Sequence, residues 1–384
     1  MAELEDRTRR VLDEIDGQGL RRVLREPTGI DLSSNDYLGL AKHPLIRAAM
    51  AQAVLQEGAG STASRLLRGE RKGFRDVEQR FARWKGAEAS LFFSSGYAAN
   101  LGVLSSFLDE GDVVFSDEAN HASLIDGMRL GRARRVIFPH CDLAALREAL
   151  ASETGPGQHF LVTESLFSMD GDFAPLKEYA ALCRETGAAL IVDEAHAVGI
   201  YGEHGSGLIE RSGISRDVFL SVNTAGKALG VGGAFVAGRR WAIDFLINRA
   251  RPFIFSTAPP PSLAAALDAA LNVVEHEPEL REQTLVLAQI LRRTLTEAGV
   301  DVPKGESQII PIVLGDNERT VAAAEALQKD GFDVRAIRPP TVPEGTSRLR
   351  VSVNAKLHEA DLDAFRLSLA AALKERVACS AASL

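Results

Sequence analysis

From Pro44 to Arg240, short and wholly apolar runs alternate with longer segments whose apolar residues recur every three or four positions. The short runs Ala89–Phe93, Val113–Phe115, Val136–Phe138, Phe160–Thr163, Leu190–Val192 and Val218–Leu220 read as strands. They are apolar throughout, as strands covered on both faces must be. The segment before the first run places Phe74, Val77, Phe81 and Trp84 on one stripe, which predicts a helix with a single core-facing side. A further helix is expected from Tyr97 to Leu108. The alternation predicts an α/β domain around a mostly parallel sheet.

Arg251-Pro252 and Pro259-Pro260-Pro261 interrupt this rhythm and mark a junction. Beyond it the pattern predicts a long helical segment from Leu263 to Ala298 and a strand over Ile309–Leu314. A helix over Thr320–Asp330 and a strand over Val334–Ile337 follow. After the loop from Pro339 to Gly345 come a strand over Leu349–Val353 and a last helix with Leu362, Phe365, Leu369 and Leu373 on one face. The expected organisation is a helix and connector over 1–43, a large α/β domain over 44–250, and a junction with a smaller α+β domain over 251–384.

Composition narrows the class. Of 384 residues, 46% are apolar and 25% charged, enough for a packed core without staples. The net charge of −8 argues against non-specific nucleic-acid binding. Cys141, Cys183 and Cys379 are odd in number and far apart, which suggests neither a disulfide framework nor a zinc site. The first ten residues carry Glu3, Glu5, Asp6, Arg7, Arg9 and Arg10, and no apolar run reaches membrane-spanning length. The expectation is a cytoplasmic protein with no membrane and no nucleic-acid partner.

The candidate chemistry centres on Lys227, in SVNTAGKALGVGGAFVAG. The glycines there do not make a triphosphate-binding loop, because Ala228 follows Lys227 where a metal-binding Ser or Thr is needed. Asp193-Glu194-Ala195-His196 resembles a helicase box, but no phosphate loop of the GKT type lies upstream. Asp193 instead ends an apolar strand, where open α/β sheets bind their ligands. A carboxylate there can pair with a protonated pyridine nitrogen, and a lysine nearby can form a Schiff base. Ser95-Gly96-Tyr97 stands between a strand and a helix, a place suited to a phosphate, and Thr224 offers a hydroxyl to the same group. His121 can lie over a pyridine face, and His196 can donate to a phenolic oxygen. Glu164 and Ser168 either border that ring or cap the next helix. Together these residues specify a pyridoxal 5'-phosphate (PLP) site. Arg348 and Arg350 share one face of a strand pattern, and either can hold a carboxylate as a bidentate pair. Arg129, Arg132, Arg134 and Arg135 read as a solvated face.

The stretches SSNDYLGL (33–40), SSGYAAN, NHASLIDG, SMDGDFAPL, VDEAHAVGIYG and GKALGVGGAF together resemble the α-oxoamine synthases. These are PLP enzymes of fold type I, the aspartate-aminotransferase-like fold, and the likeness runs from Gly19 to Asn354. The resemblance implies decarboxylative condensation of an amino acid with an acyl thioester. Within the family, AIRPPTVPEGTSRLRVSVNA with SSNDYLGL points to L-alanine and pimeloyl-CoA or pimeloyl carrier protein. It implies Lys227, His121 and Asp193 as catalytic residues. It implies cofactor contacts from Ser95, Gly96, Tyr97, Glu164, Ser168, His196 and Thr224. It further implies Arg350 (or Arg348) at the substrate carboxylate, Asn35 and Arg22 near the substrates, and Thr257 reaching a neighbour's phosphate in a homodimer with shared sites. Phe74 and Ala225 depart from the family pattern, at positions where histidine and a bulkier residue are frequent. Two other readings stay open: a sibling using glycine with a short acyl-CoA, and a non-catalytic regulatory module of the same fold.

Overall fold

A computed structural model describes residues 1–381, with the side chains of Ala2 and of residues 375–384 outside the description. Cys379 therefore lies outside the described side chains. The chain divides into two compact units: residues 35–168 with 172–282, and residues 1–34 with 169–171 and 283–384. This division differs from the boundaries expected at 43 and 250. The helix Pro261–His276 belongs to the first unit, where it packs on the helices Pro44–Glu57 and Lys72–Lys85.

The first unit is built on a seven-stranded sheet. Its order is Ala89–Phe93, Ala234–Gly238, Val218–Thr224, Ala189–Asp193, His159–Glu164, Val113–Asp117 and Arg134–Phe138. All six expected strands form. Ala234–Gly238 is an addition, and it runs antiparallel to both its neighbours while the remaining pairs are parallel. Its apolar core is only Ala-Phe-Val-Ala, following three glycines, and it reads as part of the glycine loop rather than as a strand. One sheet face packs Leu91, Phe93, Val162, Ile191 and Val222 with Val103, Leu104 and Leu124 of the helices Gly96–Phe107 and Ala122–Leu130. On the aromatic stripe of Lys72–Lys85, Phe81 stacks on Phe235 at 4.1 Å between ring centroids. Phe74, the departure from the family pattern, is wholly buried against Phe92 and under the Arg65 guanidinium.

In the second unit, Ser347–Ser352 is the central strand of a three-stranded antiparallel sheet, between Ala336–Ile337 and Ile309–Gly315. Its core joins Ile310, Ile312, Leu349 and Val351 to Leu291, Leu327, Leu362, Phe365 and Leu369. The expected strand over 334–337 narrows to Ala336–Ile337, with a separate short strand before it. Phe332–Asp333 pairs in parallel with Ile30–Asp31, and Ala336–Ile337 joins the three-stranded sheet. The expected single helix over 263–298 is likewise two, Pro261–His276 and Glu279–Glu297. Pro278 separates them, because proline has no N–H to donate and disfavours a helical residue before it. No helix among the described residues is long and apolar enough to cross a membrane.

Candidate active site

Four parallel strands of the large sheet end in polar residues: Asp117, Glu164, Asp193 and Thr224. The carboxyl edge of such a sheet is its ligand-binding edge. Asp193 is 5% exposed, and each of its oxygens accepts a hydrogen bond. Its Oδ1 accepts the Ala195 backbone N–H at 2.8 Å, and its Oδ2 accepts from Asn100 Nδ2 at 2.7 Å. The next residue serves a different purpose. Glu194 is wholly buried, paired with Lys85, and accepts the Ile209 N–H at 3.0 Å. It anchors the following loop, and this removes the helicase-like reading of the motif.

Lys227 lies in the tight loop between Val218–Thr224 and Ala234–Gly238. The loop is closed by bonds from Ala225 N to Gly233 O and from Gly230 N to Lys227 O. Gly230 has φ +66°, and a Cβ there would meet the Leu40 carbonyl carbon at 2.6 Å. The glycines thus serve close backbone approach and lysine presentation rather than phosphate binding. Lys227 Nζ lies 2.8 Å from His196 Nε2, and His196 Nδ1 lies 2.7 Å from the Tyr37 hydroxyl. Tyr37 donates to Asn35 Oδ1 at 3.0 Å. Asn35 thus joins the lysine through a polar chain. Tyr37 was not singled out from the sequence, although it lies inside SSNDYLGL.

Ser95 is the N-cap of the helix Gly96–Phe107, its hydroxyl accepting the Ala98 N–H at 3.1 Å. Tyr97 is 44% exposed and donates to Asp126. A Cβ built on Gly96 would overlap the Thr224 hydroxyl oxygen. Glycine at position 96 thus leaves the Thr224 hydroxyl its place beside the helix N-terminus, where an anion is favoured.

His121 caps the helix Ala122–Leu130. Its backbone N–H donates to Glu164 Oε1 at 2.7 Å. The surrounding protein holds the imidazole below its ordinary pKa. Desolvation is the main cause; Lys227 adds to it and Asp193 opposes it. Glu164 lies beside Asp193 in register on the adjacent strand. Burial first, and the Asp193 charge second, push its carboxyl up to about 8. Burial thus favours the protonated form of Glu164. Ser168 is buried just beyond the same strand. Thr257 is exposed and lines the same small cleft as Ser94.

The remaining candidates belong to the second unit. Arg348 and Arg350 are both buried on a central strand, which removes the reading of edge arginines in water. Arg348 pairs with Asp170 at 2.5 Å and also donates to the Thr346 carbonyl. Arg350 Nη1 donates to Ser352 Oγ at 2.8 Å. Arg22 is exposed. In the first unit, Arg129, Arg132 and Arg134 each pair with an acid at the surface, as a solvated face does.

These residues fit PLP. A glycine-lined helix N-terminus beside a strand-end hydroxyl suits a phosphate, and a buried strand-end carboxyl suits a pyridine ring nitrogen. A primary amine is held beside an imidazole. Asn100 and Ser123, which join Asp193 to His121, escaped the sequence reading; their only signal was their place in SSGYAAN and NHASLIDG.

A family model for class I and II aminotransferases matches residues 27–369. The 8-amino-7-oxononanoate synthase of Anaeromyxobacter dehalogenans is 49% identical over 379 residues, covering 95% of this chain and 94% of that protein. A serine palmitoyltransferase variant from S. paucimobilis, solved with a PLP–myriocin aldimine bound, superposes with a TM-score of 0.90 at 29% identity. That match covers 97% of this chain and 98% of the other. The 8-amino-7-oxononanoate synthase of Francisella tularensis superposes with a TM-score of 0.80 at 26% identity, covering 91% of this chain and 99% of that one. The fold is PLP-dependent fold type I, with a mostly parallel central sheet. Matched from residue 27 to residue 369, the chain belongs to the aminotransferase class I and II family.

Proposed function

We propose that this chain is a PLP-dependent acyltransferase that condenses L-alanine with a pimeloyl thioester, carried by CoA or by a carrier protein. A carbon–carbon bond forms between the alanine Cα and the thioester carbonyl carbon. The thiol leaves, the alanine carboxylate departs as carbon dioxide, and the product is 8-amino-7-oxononanoate, a step in biotin synthesis. One observation carries the choice of substrates: 49% identity across nearly the whole length of a relative bearing that activity as its name.

When bound, PLP supplies an electron sink for negative charge at the amino-acid Cα. The protein's own groups do the rest. Lys227 would hold the cofactor through its amine, and that amine would take the proton from the alanine Cα. His196, 2.8 Å from its Nζ, orients that amine and shares its proton. Asp193 keeps the ring nitrogen protonated as an ion pair in a site where water is scarce. Gly96 and Tyr97 at the helix N-terminus, with Ser95 and Thr224, hold the phosphate; Glu164, Ser168 and His121 border the ring. Arg350 serves the substrate carboxylate, with Arg348, which pairs with Asp170, as the alternative. Asn35 and Arg22 serve the substrates. Thr257 acts on the phosphate of a second subunit in a cytoplasmic homodimer.

Product mass decides the substrate reading. Incubation with alanine and pimeloyl-CoA, or pimeloyl carrier protein, should yield 8-amino-7-oxononanoate and free thiol. Preference for glycine with acetyl- or succinyl-CoA would replace this assignment with a sibling activity. Absence of thiol release with every donor, despite bound PLP, would leave a non-catalytic module.

A further inference from the structure

Asn100 and Ser123 join two groups that act on opposite aspects of the site. Asn100 is 1% exposed, on the first turns of the helix that starts at Gly96. Its Nδ2 donates to Asp193 Oδ2 at 2.7 Å and to Ser123 Oγ at 2.8 Å. Ser123 is also 1% exposed, and its Oγ lies 2.8 Å from His121 Nδ1. The Ser123 backbone N–H points at the same nitrogen from 3.2 Å.

The directions of these bonds follow from donor and acceptor inventory. An ionised carboxylate only accepts, so the Asn100 atom facing Asp193 must be the NH2 group, and the amide orientation is fixed. The second hydrogen of that NH2 group goes to Ser123 Oγ, which therefore accepts. The hydroxyl's one hydrogen is left for His121 Nδ1. With an O–H and an N–H both directed at it, Nδ1 carries no proton.

We infer that Asn100 and Ser123 are positioning residues that relay the charge of Asp193 to His121, fixing its imidazole as the neutral Nε2–H tautomer. The ring then offers one donor, Nε2–H, to an oxygen acceptor on a substrate, either the amino-acid carboxylate or the thioester carbonyl. That use of the donor rests on the alanine–pimeloyl reading; the tautomer does not. The relay also couples the two groups. Neutralising Asp193 frees the Asn100 amide to turn over, after which Ser123 can donate to it and accept from Nδ1–H instead. A plain helix cap would require only the Ser123 backbone N–H.

Nitrogen NMR of the holoenzyme, with 15N-labelled histidines and the His121 signals identified by their loss in His121→Gln, reads the tautomer directly. Nδ1 should show a pyridine-like shift and Nε2 a pyrrole-like one, and the ring should titrate below the ordinary histidine range. A protonated Nδ1 in the wild-type enzyme would overturn the inference whatever the acyl donor proves to be. In Ser123→Ala the neutral ring loses a donor, so His121 should titrate at higher pH and kcat/KM for alanine should fall about tenfold. Ser123→Thr keeps the hydroxyl and should restore both. A titration midpoint and kcat/KM unchanged in Ser123→Ala would reduce the contact to a cap. In folded Asn100→Ala the Nδ1–H form should become populated; unchanged shifts there would remove Asn100 from the relay.

Discussion

Replacing Gly96 by alanine should loosen the cofactor without disturbing the fold. Gly96 is not in the left-handed backbone region, so alanine is acceptable there on conformational grounds and even mildly favourable in a first helical turn. The conflict is local. The new methyl would overlap the Thr224 hydroxyl, while Thr224 Cβ and Cγ2 stand clear at 3.6 and 3.7 Å. Rotating the hydroxyl aside relieves the overlap and would remove the hydrogen bond proposed from Thr224 to the charged phosphate. A bond of that kind contributes about 1.5–3 kcal/mol. PLP affinity should therefore fall about ten- to hundredfold, measured by titrating apoprotein with PLP and following the absorbance of the bound form. Thr224→Ala alone should lose a similar amount. The double variant should match Thr224→Ala, because the alanine at 96 then meets nothing new; contacting sites are where additivity fails. Gly96→Ala affinity within about twofold of wild type, or a double variant that loses both amounts in full, would refute this account of the cradle.

Three further outcomes follow from the site. Asp193→Asn should retain cofactor while kcat drops by about 10²-fold or more, the size seen when a preorganised electrostatic group is removed; ordinary turnover would show that the ring nitrogen needs no acid there. Burial pushes the Glu164 carboxyl from its ordinary 4.5 up to about 8, so its ionised form is disfavoured by folding. Wild-type stability should then decline relative to Glu164→Gln as pH rises from about 4.5 through about 8, and the gap should level off above that; melting curves running parallel across this range would contradict it. If Thr257 serves a neighbouring subunit, mixing and refolding inactive Lys227→Ala with inactive Thr257→Ala should return activity above that of either parent, and no recovery in verified heterodimers would confine each site to one chain.

Much of this architecture can be read from residue pattern, and the failures have physical causes. Five of the six parallel strands are legible because burial makes them continuous apolar runs, whereas Arg134–Phe138 is a largely exposed edge strand betrayed only by Val136, Ile137 and Phe138. The antiparallel Ala234–Gly238 is too small and too close to Gly230, Gly232 and Gly233 to stand out. Pro278 ends a helix whose apolar period continues on both sides of it, so periodicity alone hides the break. At the proposed site, Lys227, Asp193 and His121 stand out as candidates because their side chains carry distinctive chemistry in a loop, at a strand end and at a helix cap. Asn100, Ser123 and Tyr37 are not, because a buried amide or hydroxyl is defined by what it touches, and those partners lie 93, 2 and 159 residues away along the chain. Glu194 shows the converse: it neighbours Asp193 in sequence, yet the Lys85 ion pair assigns it to the loop rather than the cofactor.

The central claim is that the amine of Lys227 is the covalent attachment point of PLP. Borohydride reduction of the holoenzyme, followed by proteolysis and mass mapping, locates that attachment. The expected result is one phosphopyridoxyl group on Lys227, absent from Lys227→Ala treated in the same way. The same mass on another lysine, or an unlabelled Lys227 in fully reconstituted protein, would contradict the account.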